Sequence, residues 1–263
     1  MPIRKLPVIT AFKHAARSVG NNLPFAIHIS GPVYALLVPL ILAGNILVYV
    51  IAGSDPGASV GTITIVFVFM TLATLLAFAI IAVRWHRYIL RDDVPQRRSP
   101  LSPGPEVWRY AGNILLLVLL AIACVFIVAI VLALISGGRE VLTPSMLAIT
   151  ALAAAFIGLV IFRLSVKFPA IALGRMDFGF ADAWGATSGN NWEFLGFTLL
   201  NSGVVLAASL AIGGLSTVVA LLSPTLGFGV EIVLELLVNW ILTLFSCSVL
   251  TSLYGYFVEG RDF

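Results

Sequence analysis

Six apolar runs constrain this chain more than any motif in it, at 24–51, 60–88, 110–135, 145–170, 193–215 and 228–258. A bilayer core of ~30 Å needs about 20 helical residues, and each run is long enough to cross. Lipid offers no hydrogen-bond partner to a backbone, so a crossing segment must be a helix or a strand of a closed barrel. The runs are continuously apolar and lack the alternation of barrel strands. The sequence therefore predicts an all-α, polytopic membrane bundle of six transmembrane helices. Mean hydropathy is +1.08 and only 10% of residues are charged, which leaves little chain for a soluble domain. One integral membrane domain spanning 1–263 is expected.

Basic residues orient the bundle. Arg4, Lys5, Lys13 and Arg17 precede the first run, and Arg84, Arg87, Arg91, Arg97, Arg98 and Arg109 surround the connection between the second and third. Arg163, Lys167 and Arg175 end the fourth, and Arg261 follows the sixth. Fourteen of fifteen lysines and arginines thus share one side, with Arg139 alone opposite. By the positive-inside rule both termini are expected in the cytoplasm. The start Met1-Pro2-Ile3-Arg4-Lys5 is basic, but Lys13, His14 and Arg17 interrupt any short apolar core, so a cleaved signal peptide is not expected.

Lys13, Arg17, Arg84, Arg87, Arg109, Arg163, Lys167 and Arg175 are the candidate contacts to lipid headgroups. Arg84, Arg163 and Lys167 lie in last helical turns, from which long side chains snorkel to the phosphate level. Anionic membrane lipids are the expected partners, at roughly 1 kcal/mol per nearby cation. A basic excess at this boundary is the ordinary condition of membrane proteins and implies no nucleic acid. Asp55, Glu140, Glu231 and Glu235 fall on the outward side.

A faint repeat organises the chain. Gly20-Asn21-Asn22, Gly112-Asn113 and Gly189-Asn190-Asn191 each precede a pair of apolar runs. Before the first, Ile9, Phe12, Ala16 and Val19 share one helical face and Thr10, Lys13, His14 and Arg17 the other, as in a helix lying in the interface. Phe180, Ala183, Trp184 and Thr187 repeat the pattern in the third copy, and Pro103-Gly104-Pro105-Glu106 starts a shorter middle one of about two turns. Three units are expected, at 7–91, 103–175 and 178–262, each an interfacial helix and a hairpin. Gly-Asn suits a left-handed helix cap.

The stretch Arg163-Leu164-Ser165, Phe168-Pro169-Ala170-Ile171-Ala172-Leu173-Gly174-Arg175, Ala183-Trp184 and Thr187-Ser188-Gly189-Asn190 resembles a set of bacterial multi-pass inner-membrane proteins. They are similar to the membrane domain attached to some glycerophosphodiester phosphodiesterases. Trp85-His86-Arg87-Tyr88-Ile89-Leu90 fits the same pattern. The resemblance implies a bacterial inner-membrane address and no activity, since the catalytic domain has no counterpart here.

Chemistry-bearing constellations are sparse. His14, His28 and His86 show no zinc spacing, Cys124 and Cys247 lie inside apolar runs, and no phosphate-binding glycine loop occurs. No cofactor is expected. His28 has an alternative reading as an axial ligand to haem or chlorophyll, and His86 reads as part of an aromatic anchor. Glu231, Glu235 and Asn239 follow at i, i+4 and form a polar stripe on the last run. It is either a proton or cation site open to the outside or a bundle-facing stripe whose carboxyls are wetted or paired, with Arg139 as a candidate partner. For a helix starting near Gly229, Glu235 would lie about 9 Å along it. Asn45 and Asn201 are expected to bond between helices, and Ala151–Ala155 with Gly158, and Ala207, Ala208, Ala211, Gly213 and Gly214, to let helices approach closely.

Two function classes follow. The first is a noncatalytic membrane protein, an accessory or assembly subunit of a larger complex. The second is a small transporter, channel or lipid-handling protein that uses the outward acidic stripe. A lipid-acting enzyme lacks a nucleophile with its base.

Overall fold

The computed structural model describes residues 4–54, 60–93, 103–137 and 143–263. A short helix α1 (Val8–Asn21) leads into the hairpin α2 (Leu23–Ser54) and α3 (Val60–Arg91). The hairpin α4 (Pro105–Ser136) and α5 (Pro144–Ser165) follows, extended by α6 (Lys167–Ala172). Then α7 (Phe180–Ala186) leads into the hairpin α8 (Asn191–Ala220) and α9 (Pro224–Phe257). Six of these segments, with α5 and α6 forming one of them, are long and apolar enough to span a membrane, as the sequence predicts. No strand occurs among the described residues.

Local chemistry sets the boundaries. Pro105, Pro144 and Pro224 start their helices at positions where a missing N–H costs nothing. Thr143 and Ser223 cap α5 and α9 by accepting from the amides of Met146 and Leu226. Pro169 removes the amide that would bond Ser165, and the α5–α6 break falls there, at Val166. Gly174, at φ +75°, then ends α6 by letting the Arg175 amide reach the Ala170 carbonyl. Helix α2 runs unbroken through Pro32 and Pro39.

The repeat departs from expectation at its surface helices. Gly112 and Asn113 lie inside α4, so the middle copy has no separate interfacial helix. Pro105 simply begins a 32-residue helix there, and nothing after it interrupts the hydrogen-bond ladder. Asn22 closes α1 at φ −114°, outside the left-handed region, whereas Gly189 adopts φ +76° before α8. The buried face of α1 is also rotated from the one expected. Ala11 and Ala15 are buried and Val8, Phe12 and Val19 half-buried, while Ile9 and Ala16 are exposed. Close packing on α8 and α9 selects the two small alanines, which let the backbones approach.

Burial is concentrated at the end of the bundle that holds α1, α6 and α7, here the basic end. Ala77–Val83, Trp85 and His86 of α3, apart from half-buried Phe78, are buried there, as are Leu244 and most residues to Tyr256 of α9. Helix α3 packs on α2, α4, α6 and α9. Its opposite half differs. Thr64, Ile65, Phe67, Val68, Phe69, Thr71 and Leu72 are exposed, and only the face marked by Ile63, Val66, Met70 and Ala73 is covered. Met70 there fills the space beside Gly44 of α2. Gly158 of α5 likewise admits Thr198 of α8, as expected of a small residue at a helix crossing.

Candidate functional site

The basic end carries a polar architecture inside the aromatic core. His86 has no exposed surface. Its Nδ1 meets Thr251 Oγ1 of α9 at 2.7 Å and its Nε2 meets the Tyr110 hydroxyl of α4 at 3.1 Å. Three hairpins are thereby joined through one imidazole. Thr251 also donates to the Cys247 carbonyl, which leaves its oxygen to accept from Nδ1–H. Nε2 is then the acceptor, and Tyr110 donates to it. His86 is therefore a buried connector and not an aromatic-belt anchor: its ring faces the bundle interior, between α4 and α9, which sequence spacing along α3 does not reveal.

Thr251 also lines a cleft of about 1040 Å³ at the basic end, between α1, α3, α9 and the following segment to Phe263. His14 Nδ1 stands 2.9 Å from Ser252 Oγ in this cleft, with Arg17 and Arg261 on its walls. Ser252 donates its own proton to the Ser248 carbonyl at 2.8 Å, so the imidazole donates to the serine and does not deprotonate it. The pair is a structural contact between α1 and α9. Burial, reinforced by the Arg17 charge, pushes the His14 pKa below its ordinary value of 6.5.

Arg163 is the residue whose role changes most. It is 3% exposed. Its Nε donates to Thr187 Oγ1 at 2.9 Å, Nη1 to Asn191 Oδ1 at 2.6 Å and Nη2 to the Trp184 carbonyl at 2.8 Å. The guanidinium also lies 3.6 Å from the Trp184 ring centroid. A group committed on three edges and one face is not a headgroup contact. The α7 turn folds over it, an event that the position of Arg163 at the end of an apolar run does not disclose.

The other expected headgroup residues divide by what holds them. Arg87 pairs with Asp93 at 2.8 Å and Arg175 with Asp177 at 3.0 Å. The Asp177 hydrogen bond, with that of Tyr254, raises the Arg175 pKa, and in return Arg175 lowers that of Asp177. Arg84 shares a cleft of about 540 Å³ with Arg87, Asp93 and Glu106. Lys167 donates to Asn113 Oδ1 at 2.8 Å, and Arg109 Nη1 reaches Met176 Sδ at 3.0 Å. Lys13 and Arg17 are exposed and make no ion pair among the described residues. Of the eight, these two and Arg109 present the freest charge.

The three residues of the polar stripe differ in what holds them. Asn239 accepts from the Tyr34 hydroxyl of α2 at 2.9 Å, so its oxygen is engaged between helices. Glu235 is exposed, Glu231 half-buried, and neither carboxylate has a hydrogen bond among the described residues. Helix α9 begins at Pro224, earlier than Gly229, because Ser223 caps it. Glu235 consequently lies about 16 Å along the helix instead of about 9 Å. The expected partner Arg139 falls outside the described residues, as do Asp55 and Glu140. Asn45 donates to the Ile41 carbonyl of its own helix, not to a neighbour, and Asn201 makes no side-chain hydrogen bond among the described residues. Trp240, which the sequence did not single out, donates to Ser30 Oγ at 2.7 Å and adds a second α2–α9 bond.

No group of His, Cys, Asp and Glu among the described residues could hold a metal ion. His28 is exposed on α2, with its ring 6.0 Å from that of Phe25. Comparison with protein-family models, curated proteins and solved structures found no match to this chain.

Proposed function

We propose that this chain is a noncatalytic integral protein of the bacterial inner membrane, with its basic end in the cytoplasm, serving as an accessory or assembly subunit of a larger membrane complex. The observation that carries this reading is the contrast along α3. Most of the helix is buried from Ala77 to His86, whereas seven of the nine residues from Thr64 to Leu72 are exposed. Thr64 and Thr71 donate to their own helix carbonyls, so the open face is effectively apolar. In lipid, helix association rests on packing, and a central helix left open along half its length offers a foreign helix a ready contact. The shallow depression formed by Thr64, Phe67, Val68, Thr71 and Leu72 supports the same reading.

Purification in mild detergent followed by native mass spectrometry tests it. The expected result is a second membrane chain at fixed stoichiometry, lost on Val68→Trp without a change in melting temperature. A lone monomer or a homo-oligomer would overturn the subunit reading.

A further inference from the structure

A second concavity, separate from the open face of α3, lies between α4 and the α5–α6 span. Ile114, Leu117 and Ala121 line one wall, Ile161 and Phe168 the other, and Phe78 of α3 the floor, around a volume of about 560 Å³. The two hydroxyls that reach it are already engaged: Tyr110 at His86 and Ser165 at the Ile161 carbonyl. The interior is thus apolar in effect.

The basic end of this groove is bridged from wall to wall. Asn113 stands beside Ile114 on α4 and Lys167 beside Phe168 on α6, and both neighbours line the groove. Asn113 Oδ1 accepts from Lys167 Nζ at 2.8 Å, and its Nδ2 donates to the backbone carbonyl of Arg109, one turn earlier on α4. The Lys167 ammonium is also held 4.0 Å from the Phe180 ring centroid, and Arg109 Nη1 lies 3.0 Å from Met176 Sδ. Neither Lys167 nor Arg109 pairs with a carboxylate among the described residues. One cation is thus fixed beside the apolar slot, and a second belongs to the next turn of α4 toward the basic end.

We infer that this groove holds one anionic phospholipid, its phosphate at Lys167 and Arg109 and one acyl chain along Ile114, Leu117 and Ala121 against Phe168. The charge selects the headgroup and the apolar lining selects a tail. The fixed Lys167–Asn113 bond distinguishes the site from general attraction of the basic surface for anionic lipid, which requires no preset geometry.

The full chain in detergent, titrated with phosphatidylglycerol or phosphatidylcholine and read by native mass spectrometry, tests the site. Phosphatidylglycerol should be retained in preference, and each of Lys167→Gln and Arg109→Gln should weaken it about fivefold. Ala121→Phe, which fills the slot, should abolish retention, and Val118→Trp at its exposed lip supplies a second block if the first variant does not fold. Arg91→Gln, at an exposed position on the same basic end, should leave binding unchanged. Equal retention of the two lipids, wild-type binding by a folded blocked variant, or equal damage from Arg91→Gln and Lys167→Gln would overturn the site.

Discussion

Arg163 stacks on Trp184, 3.6 Å from the ring centroid, and donates to the carbonyl of that same residue. One side chain from the end of α5 therefore fixes both the ring and the backbone of α7. Arg163→Ala should cost about 3 kcal/mol, the upper value for hydrogen bonds to a charged group. Arg163→Lys should recover less than half of it, because an ammonium cannot match the planar fork. Thermal melting of both variants in detergent checks the order.

Tyr110 and Thr251 meet only through His86, so their contributions should be coupled. Tyr110→Phe alone should cost about 1 kcal/mol, and Thr251→Val a similar amount. The double variant should cost less than the sum, since the first loss already frees the imidazole. A double-mutant cycle measured by denaturant or thermal melting reads the coupling directly. Strict additivity would contradict a single connected chain.

His14 gives a pH dependence of defined sign. Its pKa in the folded chain is lowered, so between 6.5 and that lower value the unfolded state binds more protons. Its contribution to stability is present above pH 6.5 and is lost as pH falls through the folded value. Melting temperatures of wild type and His14→Gln should therefore converge on acidification below pH 6.5. A difference that stays constant from pH 8 to pH 5 would contradict the assignment.

The spanning segments were legible because a helix in lipid needs only length and apolarity, and both are local. The surface helices were less so. Gly112-Asn113 matches Gly189-Asn190 letter for letter, yet the first pair continues a helix and the second breaks one. The difference lies in what surrounds them. Asn190 is buried and bound by the Leu6 amide and the Arg4 carbonyl, whereas Asn113 is anchored to its own helix and to Lys167. Arg163 and His86 were misplaced for a related reason, since their partners come from elements 20 to 165 residues away along the chain. The Tyr34 partner of Asn239 was not legible because spacing on one helix states a shared face but not which neighbour meets it.

The segment before α1 is sewn to the far end of the sequence. The Tyr256 hydroxyl donates to the Lys5 carbonyl, the Leu6 amide to Asn190, and Arg4 to the Tyr256 carbonyl and to Asp262. None of the Tyr256 contacts can form until α9 has left the ribosome. The segment before α1 thus waits for α9, and this seam closes only when the α8–α9 hairpin is in place.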